Sequence, residues 1–377
     1  MSSDEDARAA VERAEREPLL GHRAAIVRAA IDEAAPRLEA AAPELRARLL
    51  LRLATVKMAE GDYEGADQAL EAAGRHAPDD TALRFLGGIR ACRVAIRRGP
   101  EPRQLAHQTL LAAAQQLPAF DSGASGWAAV TVEVAVAIAE LALHDDPPAA
   151  SAFEPLGDLI AGLDDREIEF AGHQLLAAYA LSIAEPARAA RDLRACVAIA
   201  RALDSAADEV ESRIALASAL VATGEPIALE EAAGAAQHAL DRARDAELPE
   251  LHQAALLAQA GVLANTGKTA GAIDRVLELA RAAVARHDVA QYVAAVGVMA
   301  ELYARSGDQV SAFRTIVEAN HALAQATGSD ANDLFRPLLA RLRDRIGEDR
   351  LGRIARDVAE ANRLADAIAG QKHGDPS

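Results

Sequence analysis

Cysteine is nearly absent from this chain of 377 residues, with only Cys92 and Cys196 present. About a hundred residues apart and outside any CxxC pattern, they form neither a thiolate metal site nor a disulfide framework. Such scarcity suits a reducing compartment. Aromatic residues are only 3% of the chain, so an interior must be built from aliphatic and small side chains. No window alternates apolar and polar residues with the period of a strand. The longest apolar run, Trp127 to Leu143, has 17 residues and includes Glu133 and Glu140, too short and too charged to span a bilayer. The N-terminus, Met1-Ser2-Ser3-Asp4-Glu5-Asp6, lacks the basic and apolar regions of a signal peptide. GxSxG, HExxH and GxGxxG patterns are all missing.

Positive charge is also scarce. The formal net charge is −17, which repels nucleic-acid phosphates and anionic lipid and disfavours both as partners. Lysine is confined to Lys57, Lys268 and Lys372, and the other 37 basic residues are arginine.

Alanine-rich helical sequence is what remains, with 51% apolar residues. A glycine-centred turn signal recurs through it, clearest at Gly61-Asp62-Tyr63-Glu64-Gly65-Ala66 and Gly307-Asp308-Gln309-Val310-Ser311-Ala312. Weaker echoes near Gly99, His144, Ala184, Gly224 and Gly267 complete a series with spacings of 38, 45, 40, 40, 43 and 40. A fixed period in this range marks stacked helical hairpins. Helices A are expected near 44–60, 80–98, 126–143, 166–183, 207–223, 248–266 and 288–306. Helices B are expected near 63–76, 101–117, 149–162, 186–203, 227–245, 269–286 and 308–326. Residues 1–42 and 328–370 are expected to cap the array of 43–327, and 371–377 to be a disordered tail. Leu351, Ile354, Val358, Ala361, Ala365 and Ile368 form a coiled-coil-like seam, which either packs on the last hairpin or mediates self-association.

Individual residues carry a resemblance. In 50–78, Leu50, Leu53 and Ala54 set a large-large-small pattern, Gly61 and Tyr63 the turn, Ala66, Leu70 and Ala73 a small-large-small pattern, and Pro78 the close. The stretch 296–319 repeats this with Val296, Met299, Ala300, Tyr303, Gly307, Ala312, Ile316 and Ala319. Around 256–279 the match continues, except that Gln259 replaces the second large residue. This resembles the tetratricopeptide repeat, in a longer form with a period near forty residues. The resemblance implies an all-α, right-handed α-solenoid superhelix of about seven hairpins. It also implies non-catalytic binding of a protein or peptide in a groove lined by helices A, with no cofactor. On that pattern Arg48, Thr55, Met58, Ser182, Glu211, Ser218, Asn265, Glu301 and Arg305 face the groove. The alternative is a ligand- or peptide-sensing protein acting in trans on a transcription or signalling ATPase module. Together with the arginine and alanine bias, the expected setting is a bacterial cytoplasm.

Several local patterns invite chemistry. Gly261 to Thr269 resembles a phosphate-binding loop but has five residues between its glycines and follows a helix, not a strand. Glu140/His144 and Glu169/His173 have the i,i+4 spacing of paired metal ligands, on consecutive A helices. Asp145-Asp146 and Asp164-Asp165 lack a third carboxylate at useful spacing. Arg90, Arg93 and Arg97 share one helix face and are either a solvated face with carboxylate partners or a docking patch for an acidic partner.

Overall fold

Several helix boundaries in this chain share one turn geometry. The structure, a computed structural model, describes residues 3–17, 19, 24–38, 42–116, 127–145, 147–161, 163, 165–328 and 331–372. Among the described residues all regular structure is helical. The first part holds α1 (Ser3–Arg16), α2 (Ala24–Ala34) with a 3-10 turn (Ala35–Leu38), α3 (Pro43–Ala59), α4 (Tyr63–His76), α5 (Thr81–Arg98) and α6 (Pro100–Gln116). It continues through α7 (Trp127–Ala142), α8 (Glu154–Ile160), α9 (Arg166–Ser182), α10 (Pro186–Ala202) and α11 (Ala206–Thr223). The second holds α12 (Pro226–Asp245), α13 (Pro249–Asn265), α14 (Thr269–Ala285), α15 (Val289–Arg305), α16 (Gln309–Thr327), α17 (Asn332–Ile346) and α18 (Glu348–Lys372). The chain divides into two compact units, 1–223 and 224–377.

Seven turns close in the same way. Gly61, Ala184, Asp204, Glu247, Gly267, His287 and Gly307 all have positive φ. After each, the next amide N–H donates to the carbonyl five residues back: Asp62 to Lys57, Glu185 to Ala180, Ser205 to Ala200, Leu248 to Ala243, Lys268 to Leu263, Asp288 to Ala283 and Asp308 to Tyr303, at 2.7–2.9 Å. This is the Schellman closure, which satisfies carbonyls that a helix end otherwise leaves without a donor. The residue after the turn then starts the next helix. Asp62, Asp288 and Asp308 each accept from the amide three residues on, at 2.9, 2.9 and 3.0 Å. Two residues therefore end one helix and cap the next.

Small residues occupy the tight helix crossings. Ala66, Ala189, Ala272 and Ala312 are fully buried, and the large partners Leu70, Leu193, Val276 and Ile316 fill the space beside them. Within each unit, successive helices pack on one another, as α9 with α10, α10 with α11, α13 with α14 and α14 with α15.

One element departs from the sequence expectation. The helix expected over 149–162 is instead a 3-10 turn (Ala150–Ala152) followed by α8. Pro155 is the cause: the residue before a proline disfavours continuing helix, so α8 restarts with Pro155 in its first turn. Phe153, Leu156 and Ile160 bury almost completely from this short segment. The Phe153 ring stacks on Tyr179 at 4.2 Å between centroids.

At the C-terminus two further helices follow α16. α17 packs on α15 and α16, and α18 packs on α16 and α17, as an additional hairpin does. Its turn residue, Gly347, has φ 87° and lies forty residues after Gly307. Ile354 and Val358 of the seam are buried and Leu351 is half-buried, whereas Ala361 is exposed. The side chains of Ala365 and Ile368 and the residues 373–377 lie outside the description, as do Pro18, Asp146, Asp164 and the linker 117–126.

Gln259 is the polar residue noted above at a large apolar position. Its amide donates to Gln237 Oε1 on α12 at 2.6 Å, while its own Oε1 is buried without a hydrogen-bond partner among the described residues.

Candidate peptide-binding groove

In the second unit, three alternate helices each turn one stripe toward a shared groove. α13 contributes Leu257, Ala260, Gly261, Ala264 and Asn265, α15 contributes Ala294, Gly297, Val298, Glu301, Ala304 and Arg305, and α17 contributes Leu338, Arg341, Leu342 and Arg345. These are i, i+3/i+4 spacings, which place side chains on one helix face. The cavity has a volume of about 700 Å³, within the range of ligand-holding clefts. Ala260, Ala300, Ile316 and Leu342 form a buried apolar floor.

Two glycines in this wall differ in cause. A Cβ on Gly297 would lie 2.9 Å from Leu338 Cδ2, so glycine there lets α17 approach α15. A Cβ on Gly261 would meet nothing within 4 Å. A mid-helix glycine costs about 1 kcal/mol against alanine, and packing does not require this one; it leaves the groove deeper.

The rim is cationic. The Glu301 carboxylate accepts from Arg305 Nε at 3.1 Å and also from Arg345. The Arg345 hydrogen bond is the main reason that the Glu301 carboxyl sits below its usual range. Arg341 is exposed and has no acidic partner among the described residues. Asn265 turns its amide back to Gly261 O at 2.8 Å.

The first unit holds a smaller cleft of about 280 Å³ that includes Arg52, Thr55, Met58, Arg90, Arg93, Arg97, Glu133 and Glu167. Here the arginines are matched. Arg90 pairs with Glu133 at 2.7 Å and also donates to Leu51 O at 2.9 Å. Arg93 and Arg97 share Glu140 at 2.9 and 2.7 Å. Burial pushes the Glu133 and Glu140 carboxyls up, but the adjacent arginines outweigh it and leave both below the usual carboxylate range. Arg52 is buried; it donates to Ala14 O at 3.2 Å, to Glu167 Oε2 at 3.0 Å and to Glu17 O.

The residues expected to face one groove are thus distributed. Asn265, Glu301 and Arg305 come together in the larger cavity, and Thr55 and Met58 line the smaller cleft. Thr55 donates to Leu51 O at 3.1 Å, and Met58 is buried. Arg48 pairs with Glu15. Ser182 and Ser218 hydrogen-bond carbonyls of their own helices, and both are exposed, as is Glu211. Arg341 and Arg345 are not among the residues expected at the groove, because α17 lies beyond the last hairpin of the sequence pattern; Gly347, forty residues after Gly307, is the signal that points to them.

The metal-like and loop-like patterns resolve into local contacts. Glu140 is held by two arginines, Glu169 pairs with Arg166 at 2.6 Å and His173 Nδ1 lies 3.2 Å from Asp192 Oδ1. His144 is exposed. Burial, with Asp192 nearby, pushes the Cys196 thiol up to about 12, so it stays protonated. Gly261 to Asn265 is helical and Thr269 begins α14, so the glycine-rich segment is an inter-helix turn.

No protein-family model matches the chain, and no curated protein matches it. Solved structures do. One is a signal transduction ATPase with numerous domains (STAND) protein with a tetratricopeptide repeat sensor, from Pyrococcus horikoshii, with a TM-score of 0.54 at 13% identity. The match covers 90% of this chain and 54% of that one, so the chain spans about half of its length. The fold is tetratricopeptide-like. A Rap protein complexed with competence and sporulation factor is also similar, with a TM-score of 0.48 at 14% identity over 85% of this chain and 93% of that one. No described helix is long and apolar enough to cross a membrane.

Proposed function

We propose that this chain is a non-catalytic recognition protein that holds a segment of a partner protein in the groove between α13, α15 and α17. The observation that carries this reading is the groove itself, with a continuous floor of small aliphatic residues and polar groups confined to the rim. Such a surface suits an apolar stripe of a peptide or amphipathic helix, the mode in which side-chain anchors give affinity and rim contacts give orientation. The proposed setting is the cytoplasm, and nucleic acid and membrane surfaces are not proposed as partners, given the net charge of −17.

Gly261→Trp provides the test, because the exposed position has open space above it and the substitution fills the groove without a clash. Partners retained by the wild-type chain in affinity capture should be lost from this variant while its thermal stability is not lowered. Equal retention by both would overturn the groove as the binding site.

A second reading is a sensor acting in trans, in which occupancy of the groove changes shape or oligomeric state. It is supported by the similarity to a STAND protein whose repeats are described as a sensor. Small-angle scattering with and without a bound partner separates the two, since a scaffold keeps one profile and a sensor shows two.

A further inference from the structure

Building on the groove reading above, we infer that the occupant is acidic as well as apolar: a partner segment that lays aliphatic side chains on the floor and sets one or two carboxylates against Arg305, Arg341 and Arg345. The rim carries three arginines and a single glutamate, in a chain whose net charge is −17. In the cleft of the first unit every arginine named above has a carboxylate or carbonyl partner, so that cleft is neutralised from within. The groove of the second unit is not, and its surplus charge is complementary to an anion.

The ion pairs at the rim are of a kind that can be exchanged. Arg305 and Arg345 keep 60% and 42% of their side-chain surface exposed, and Glu301 keeps 48%. Exposed pairs of this kind contribute little, so an incoming carboxylate can take over either guanidinium while Glu301 keeps the other. Arg341 needs no exchange, since no described acidic group holds it.

Position sets the spacing of the ligand. Arg305 ends α15 and Asn265 ends α13, whereas Ala294 and Val298 lie nearer the start of α15. The seven residues from Val298 to Arg305 span about 10 Å of helix. The occupant's carboxylate and its apolar anchor must be separated by that length, which is about three residues of extended chain. A long acidic run is disfavoured, because the net negative charge of the whole chain repels it.

Three short fluorescein-labelled leucine–alanine peptides, identical except for two Glu, two Gln or two Lys at this spacing, test the inference by fluorescence anisotropy with the full chain. The Glu peptide should bind roughly tenfold tighter than the Gln peptide, and the Lys peptide weakest of all. Arg341→Glu combined with Arg345→Glu should reverse the order. Both positions are exposed, and circular dichroism confirms that the variant is folded. Gly261→Trp should weaken all three peptides. If Gly261→Trp does so but the three peptides bind alike, the acidic preference is overturned and the groove stands. If the wild-type chain binds none of them, or binding ignores Gly261→Trp, the groove reading itself is overturned.

Discussion

Arg52 and Glu167, 115 positions apart in sequence, meet in an ion pair with Nη1 3.0 Å from Oε2. The same guanidinium receives the end of α1 through the carbonyls of Ala14 and Glu17. Glu167 lies in the first turn of α9. Arg52 therefore joins the carbonyl end of one helix to the amide end of another, with each charge at the favourable end of a helix dipole.

Removing either partner leaves the other poorly satisfied. Arg52 is nearly buried, with 10% of its side chain exposed, against 24% for Glu167. Arg52→Ala should therefore cost about 2–4 kcal/mol and Glu167→Gln less, roughly 1–2 kcal/mol. Urea denaturation measures both; an unchanged midpoint for Arg52→Ala would show that the contact contributes nothing.

The turns allow a test in both directions. Ala184, with φ 57°, adopts a left-handed conformation that a Cβ penalises. Ala184→Gly should raise stability by about 0.5–1 kcal/mol, after allowing for the greater flexibility of glycine in the unfolded chain. Gly307→Ala, at φ 87°, should lower it by about 1 kcal/mol. Thermal melts that move both variants the same way would contradict the turn geometry.

Mid-helix glycines should divide by their surroundings. A Cβ on Gly172 would lie 2.6 Å from Ile160 Cγ2, so Gly172→Ala should destabilise by about 1–3 kcal/mol through overpacking. Gly261→Ala, facing open space, should stabilise by up to about 1 kcal/mol. Combining Gly172→Ala with Ile160→Ala should cost less than the sum of the two, because the clash is shared. Additive losses in a double-mutant cycle would remove the proposed contact.

Acid should weaken the first unit. The Glu133 and Glu140 carboxyls lie below their ordinary range in the folded chain. A depressed carboxyl stabilises the fold above its unfolded value, near 4.3, and that contribution is lost as pH falls through the lower folded value. Asp165, pushed up by burial, acts in the opposite sense at higher pH. Stability should therefore fall as pH is lowered below about 4, and less steeply in Glu140→Gln. Denaturation midpoints collected across that range decide the matter, parallel curves counting against the Arg93–Glu140–Arg97 arrangement.

Most helix limits were legible because glycine and proline mark them. Gly61, Gly267 and Gly307 are visible in sequence and take the positive φ expected of such turns. Asp204, Glu247 and His287 close the intervening turns with the same backbone and no distinctive residue, so only the neighbouring hairpins imply them. The break before α8 is hidden from periodicity, because the apolar spacing continues through Phe153 and Leu156 while Pro155 interrupts the backbone. Asn265, Glu301 and Arg305, which the repeat resemblance puts on one face, do line one cavity. The ion-pair partners could not be read in this way, since periodicity gives the face of a helix and not which distant helix it meets. Arg52 and Glu167 illustrate that limit.

The closing hydrogen bond after Ala184, Asp204, Glu247, Gly267, His287 and Gly307 lies entirely within the residues that flank each turn. A forty-residue stretch cut between two such points carries both of its own terminations with it. Copies of that stretch can be inserted or deleted without leaving unfinished ends on the helices that remain, so the array can lengthen or shorten by duplication while its joints stay unaltered.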